Sequence, residues 1–460
     1  MKKIKPEKIF TIVALIFGIL FIFLTPPFQS PDENSHFKKA YLVSKGKLYP
    51  IVENKKAGNY LPKKMLEYIN EKLGYIGDRE KKYNYNEAVA DQYDYMNHDD
   101  VVFNSYSTAS TPFISYIPPA IGIVISKIVG TKGVSVSYML YFARICSLIF
   151  SIFIIYHAIK ITPVLKKTMT TVALMPMSIF LMGMITYDNM IISISLFTVA
   201  YILRLIYDDS IKRIDNKNIF ILILLGFILF NYKTLYLSLF ILLLFIPNEK
   251  FGSLKSKIIK FIIIGVFILL LTALIKLPLL FLAPTDDSAA KLTSLQSNYV
   301  KNNFGTYLIV LFKNIFSQKT YQMTSMVGTF GLLDTYLPIP IIYFYLFLLV
   351  YMGLCENRDD KYKIKLSMKS ALLFAIILSV FTIYTAMYIS WTPQVFGKIG
   401  TKEITGVQGR YFIPLLFPAL LLLSNNKLGK KFKMLKEYYI IGIVITLMIS
   451  SLTLLLRFWV

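Results

Sequence analysis

The sequence predicts an all-α membrane protein that crosses the bilayer about eleven times and forms one integral domain over 1–460. Three observations carry that expectation. Hydrophobic residues make up 55% of the chain and the mean hydropathy is +0.57, more apolar than soluble globular proteins. Apolar runs of membrane-spanning length recur along nearly the whole sequence. The formal charge of +24, from 50 basic against 26 acidic residues, falls in the connections between those runs, a pattern of membrane orientation and not of nucleic-acid binding. Two cysteines, Cys146 and Cys355, lie in or beside apolar runs and exclude a disulfide framework or metal-binding spacing. The three histidines, His36, His98 and His157, leave little room for histidine-based chemistry.

The first run, Ile9 to Leu24, follows the basic stretch Met1–Lys8, the outline of a signal peptide. Thr25-Pro26-Pro27-Phe28 is a poor cleavage site, so the expectation is an uncleaved signal anchor with a cytoplasmic N-terminus. Further spans are expected near 137–159, 168–185 and 189–206. Two short ones, 218–232 and 234–247, should form a tight hairpin around Asn231-Tyr232-Lys233. The rest fall near 259–282, 337–354, 368–390, 411–424 and 437–457. Segment 112–130 is apolar but carries Pro118-Pro119 and Lys127. Counting it as a span would put the clusters around Lys166, Arg213, Lys257, Lys363 and Lys431 outside, against the positive-inside rule. It is therefore expected as a juxtamembrane helix at the outer surface. Three outer loops follow: 26–136, with a tyrosine-laden stretch Tyr83–Tyr95; 283–336, with an interfacial helix over Phe304–Phe316; and 391–410.

In that topology, polar residues gather on the outer face. Asp32 and Glu33 follow Pro26, Pro27 and Pro31, which fix φ, remove donors and hold the pair in a stiff non-helical turn. Asp188 sits in a short outer turn, Lys233 in the hairpin, Asp334 before the eighth span, and Arg410 with Tyr411 at the start of the tenth. Arg144 lies inside the second span, where an ionisable group is costly and faces a partner or a cavity. Each has a structural alternative: snorkelling for Arg410 and Lys233, a helix cap for Asp188, an ion pair for Arg144. Together, carboxylates and cations on one face suit a phosphate-bearing substrate and a proton transfer.

These pieces, in this order, resemble the GT-C glycosyltransferases, polytopic enzymes that use lipid-phosphate-linked sugars. More closely, the chain is similar to a bacterial family of multispanning membrane proteins catalogued as a domain of unknown function. The matching residues are Pro27-Phe28-Gln29-Ser30-Pro31-Asp32-Glu33 with His36-Phe37 and Ala40-Tyr41; Met175-Pro176-Met177 with Tyr187-Asp188; Lys233-Thr234-Leu235-Tyr236; Phe330-Gly331-Leu332-Leu333-Asp334; and Gln408-Gly409-Arg410-Tyr411-Phe412. Arg144 also resembles an arginine common near the start of the second GT-C span.

The resemblance implies a glycosyltransferase of the cell membrane, catalytic on its extracytoplasmic face. It would move a sugar from a polyprenyl-phosphate-linked donor to a cell-surface glycan or glycopolymer, with no nucleic-acid partner. Asp32 would be the base, Glu33 and Asp188 further catalytic carboxylates, and Arg144, Lys233, Asp334, Arg410 and Tyr411 the donor- and phosphate-binding set. A divalent metal (Mg or Mn) on Asp32, Glu33 and Asp188 and a metal-free site both stay open. The chain has no large C-terminal soluble domain of the kind some GT-C enzymes use to bind their acceptor, so the acceptor stays open too. The rival from another class is a transporter or flippase, or a non-catalytic subunit, for lipid-linked glycan export.

Overall fold

The computed structural model describes residues 4–75, 78–96, 99–130, 133–282, 288–431 and 438–460. Parts of three expected loops thus lie outside the described residues: 76–77, 97–98 and 131–132 of the first, 283–287 of the second outer loop, and 432–436. Helix α1 (Pro6–Leu24) opens on a proline, whose missing N–H is no loss in a first turn, and stops ahead of Pro26 and Pro27. The first loop then folds as α2 (Glu33–Ser44), strands β1 (Ile51–Glu53) and β2 (Lys56–Pro62), α3 (Lys63–Leu73), α4 (Tyr85–Tyr93), β3 (Val101–Ser105) and α5 (Ile117–Val129). The strands form one antiparallel sheet in the order β1-β2-β3, an addition to the all-helical expectation. The 112–130 segment is the short helix α5. It lies against the first half of α6 (Val136–Ile161), with Gly122 on the backbone of Phe142 and Ala143, where a Cβ would come within 2.4 Å of the Phe142 oxygen.

The expected span 168–185 is broken at Pro176 into α7 (Lys166–Ala173) and α8 (Pro176–Met182), both deeply buried. Next come α9 (Asp188–Tyr207) and α10 (Asn216–Lys233), followed by a 3₁₀ segment, Thr234–Phe245. The chain reverses at Lys233: Phe240 packs beside Gly226, and the Ile214 N–H donates to the Lys250 carbonyl at 2.8 Å. This is the expected hairpin, its return leg stretched to about 24 Å by the ~2 Å rise of a 3₁₀ helix. The chain continues through α11 (Leu254–Phe281), α12 (Ser288–Asn302), α13 (Phe304–Ser317), α14 (Lys319–Gly328), the two-residue strands β4 (Thr329–Phe330) and β5 (Thr335–Tyr336), and α15 (Ile339–Cys355). It ends with α16 (Leu366–Ala386), a π turn (Met387–Trp391), α17 (Thr392–Phe396), α18 (Ile413–Leu423), α19 (Asn426–Lys431) and α20 (Tyr438–Phe458).

Among the described residues, seven helical runs are long and apolar enough to cross a membrane: Pro6–Leu24, Val136–Ile161, Asp188–Tyr207, Asn216–Phe245 (the hairpin), Leu254–Phe281, Leu366–Phe396 and Tyr438–Phe458. The spans expected near 337–354 and 411–424 are the shorter apolar helices Ile339–Cys355 and Gly409–Leu423. Helix α11 leaves most of its apolar surface open, as a lipid-facing helix does.

The two ends of the bundle differ. At one, lysines close the helix ends: Lys250 donates to the carbonyls of Leu205 and Asp208, and Lys369 to those of Leu422 and Ser424. There Glu356 also accepts from the first N–H groups of α7, at Lys167 and Thr168. At the other end stand the C-terminus of α1, the N-termini of α6 and α9, the Lys233 turn, the end of α16 and the segment Gly409–Phe412. That end holds the polar cluster.

Candidate active site

The cluster is built on a repair. Pro26 and Pro27 offer no N–H, so the last carbonyls of α1 need donors from elsewhere. Arg144 supplies them: Nη1 donates to the carbonyls of Thr25 (2.6 Å) and Ile22 (3.2 Å), and Nη2 to that of Pro26 (3.0 Å). Its other two N–H groups grip Glu33 side-on, Nε to Oε1 at 2.9 Å and Nη2 to Oε2 at 2.6 Å. Glu33 Oε1 also accepts from the Ile185 N–H at 3.1 Å. Both side chains are fully buried. All five guanidinium donors are thus engaged, and no phosphate can reach them. Arg144 and Glu33 therefore depart from the binding and catalytic roles the resemblance implied. They are a fastener that holds the Pro26–Pro31 turn against α6 and the start of α9.

The same turn leaves Asp32 free. Asp32 takes a left-handed conformation (φ 60°), sparsely populated for a residue with a Cβ but less so for Asp than for most. It starts α2 without capping it, and its side chain is 65% exposed. Its Oδ2 lies 3.5 Å from Arg410 Nη2. Arg410 itself is buried, with Nε 3.2 Å from Asp188 Oδ2 but out of line for a hydrogen bond, and its Nη1 has no hydrogen-bond partner. Lys233 Nζ stands 3.8 Å from the other Asp188 oxygen, over the Tyr411 ring at 3.7 Å from its centroid. Asp188 is the first residue of α9, where a carboxylate is favoured by the helix N-terminus. Asp32, Asp188, Lys233, Arg410 and Tyr411 are thus brought together.

The segment Gln408-Gly409-Arg410-Tyr411 reaches this place because residue 409 is glycine. It presses on α14, where a Cβ would fall 2.2 Å from both the Gln322 oxygen and the Met326 nitrogen, and its N–H donates to Ser325 Oγ. With Tyr187-Asp188, the acidic turn and the Lys233 reversal, that segment completes the motif set quoted from the sequence. The family model "Predicted membrane protein (DUF2142)" matches residues 15–419. The chain belongs to the DUF2142 family. No curated protein and no solved structure matches it.

In this DUF2142 protein Asp32, Lys233 and Tyr411 of the cluster line a cavity of about 580 Å³ with His36, Tyr187 and Tyr236, and on the far side the end of α16 and Trp391, while Asp188 and Arg410 are buried and are not part of the lining. A loop wall contributes the hydroxyls of Ser107, Thr108 and Thr111. Sequence reasoning gave His36 no role. Its Nδ1 is 2.8 Å from the Tyr116 hydroxyl and its ring meets Tyr187 edge-on at 4.9 Å. Burial pushes its imidazole down to about 4, against the upward pull of Asp32 and Asp188, so it is neutral at pH 7. The signal was in the sequence, one helical turn after the acidic pair on the same helix face.

Asp334 is not in the cluster. It pairs with Arg457 at 2.7 Å, away from the cavity lining, and so departs from the donor-binding role. A carboxylate triad for a metal is also not assembled. Glu33 is closed off by Arg144, and a guanidinium already lies between Asp32 and Asp188. Among the described residues no group of three metal-ligating side chains converges.

Proposed function

We propose that this protein transfers a sugar from a polyprenyl-phosphate carrier to a glycan or glycopolymer acceptor at the outer face of the cell membrane, as a GT-C-like glycosyltransferase. The observation that carries the reading is the trio Arg410–Asp188–Lys233, with Arg410 and Asp188 buried and Lys233 partly buried, beneath the exposed Asp32. Arg410 and Lys233 flank the Asp188 carboxylate, Asp32 Oδ2 stands 3.5 Å from Arg410 Nη2, and Arg410 Nη1 still lacks a hydrogen-bond partner. Such a group calls for an anion, and a phosphate at the cavity floor answers it.

In this mechanism the acceptor hydroxyl attacks the anomeric carbon while Asp32 takes its proton. The bond from that carbon to the phosphate oxygen breaks, and its electron pair leaves with the polyprenyl phosphate. The charge that builds on the leaving phosphate meets Arg410 and Lys233, already desolvated and fixed, so little reorganisation is needed as the reaction proceeds. Asp188 positions both cations, and Tyr411 supports Lys233 by a cation–π contact. No step is routed through a metal. At the opposite bundle end Lys250 and Lys369 are taken up by main-chain carbonyls and Lys361 and Lys430 by carboxylates, which favours a one-sided reaction site over a charged path through the membrane.

The test is Asp32→Asn, which keeps shape and tolerates the left-handed backbone while removing the base. Sugar transfer from a polyprenyl-phosphate donor by the purified protein should fall about 10²–10⁴-fold, with thermal stability unchanged. Full transfer by this variant would overturn the assignment and leave transport of lipid-linked glycans as the leading alternative.

A further inference from the structure

Above the cations, the cavity has a second recognition surface that the mechanism does not use. Trp391 ends the π turn at the foot of α16. Thr382, Ile383, Ala386, Met387 and Ser390 line the cavity as a stripe. Trp391 lies four residues beyond Met387 and continues that stripe into the cavity. Trp391 stays 48% exposed although it lines the cavity. One edge of the ring is seated by Gly406, whose φ is +83° and whose absent Cβ would lie 2.3 Å from Cδ1. Two residues on, Gln408 lines the same cavity with its Oε1 buried and without a hydrogen-bond partner. One short segment thus carries, in order, the seat of the indole, a free acceptor, the guanidinium whose Nη1 lacks a hydrogen-bond partner, and the ring beneath Lys233.

An aromatic face together with an unpaired acceptor suits a ring that is apolar on one side and bears hydroxyls around its edge. We infer that Trp391 and Gln408 form the sugar subsite: the pyranose of the donor stacks its C–H face on the indole and gives one hydroxyl hydrogen bond to Gln408 Oε1, while its phosphate sits on Arg410. This assignment rests on the reading of the cavity as a phosphate-linked sugar site. It makes Trp391 and Gln408 determinants of sugar specificity, with no part in the bond-breaking step.

The experiment uses the full chain in detergent and four probes: farnesyl phosphate alone, and farnesyl phosphate bearing glucose, galactose or mannose. In wild type, at least one glycosylated probe binds more tightly than bare farnesyl phosphate. Trp391→Ala and Gln408→Leu each remove that advantage, a loss of roughly 3–10-fold, while bare farnesyl phosphate binds as before and Trp391→Phe keeps most of the gain. A Trp459→Phe background leaves Trp391 as the chain's one indole, and its emission shifts only with the glycosylated probe. Equal weakening of bare and glycosylated probes by Trp391→Ala would make the indole a lipid-interface anchor and overturn the subsite, as would binding of a sugar probe with no change in emission. Arg410→Ala separates the two levels. If wild type binds neither kind of probe, or binds both independently of Arg410, the phosphate site itself fails and the subsite falls with it.

Discussion

Substituting Glu33 by Gln tests whether adjacent carboxylates in one turn do different work. Glu33 offers two oxygens to Arg144, at 2.9 and 2.6 Å, and one of them also to the Ile185 N–H. Glutamine keeps one oxygen but sets an NH₂ where Arg144 Nη2 now donates, donor against donor, and leaves the guanidinium as a buried charge without a counter-ion. Breaking one partner of such a pair costs about 3–5 kcal/mol, a large share of the ~5–15 kcal/mol that holds a domain folded. The variant should therefore unfold roughly 3–5 °C below wild type for a chain of 460 residues, followed in detergent by a thiol-reactive dye reporting the buried Cys355. Activity should fall in step with the folded fraction. Unfolding within about 1 °C of wild type, with transfer nevertheless lost, would show that Glu33 acts chemically, and the fastener argument would be wrong.

Arg410→Ala should abolish use of a phosphate-linked donor and Arg410→Lys restore only part, because an ammonium cannot grip two phosphate oxygens side by side; donor binding and turnover together report this. His36 is held neutral by burial, with its imidazole at about 4 against an ordinary 6.5, so the unfolded chain binds the extra proton first on acidification. Thermal stability should be intact above pH 6.5 and decline as the pH falls towards 4, and His36→Gln should flatten that decline. For orientation, single cysteines in 161–167 should label only from the cytoplasm and those beside Asp188 only from outside; outside labelling at 161–167 would reverse the site's placement.

The helices were legible because apolar runs in a membrane protein need only length, and the hairpin at Lys233 was readable from two short apolar runs meeting at Asn231-Tyr232-Lys233. The break at Pro176 was legible too, in Met175-Pro176-Met177, yet continuous hydrophobicity on both sides masked it. The sheet was hidden because β2, Lys56-Ala57-Gly58-Asn59-Tyr60-Leu61-Pro62, has neither alternation nor β-branched residues; its pairing comes from tertiary contact with Val101–Ser105. Within the cluster, motif order in the sequence pointed to five residues that the structure places side by side: Asp32, Asp188, Lys233, Arg410 and Tyr411. The errors at Glu33, Arg144 and Asp334 share a cause. A charged residue reads the same whether it awaits a ligand or is already satisfied, and the partners that decide it lie 111 residues away for Arg144 and 123 for Asp334.

The pairing of Asp334 with Arg457 belongs to a larger contact in which the end of α20 fastens the first loop. Lys82 Nζ donates to the Leu456 carbonyl, the Tyr83 N–H donates to that of Phe458, and Trp459 donates to Leu24. Lys82 and Leu456 are 374 residues apart, so at about 5–20 residues per second the ribosome adds their partner roughly 20–75 s after the loop has emerged. Over that interval every residue lining the cavity is translated before the clasp that fixes the loop exists. A chain ending short of α20 would carry every residue that lines the cavity but a first loop without this clasp. The contact that fastens the first loop is thus completed only once α20 has been made.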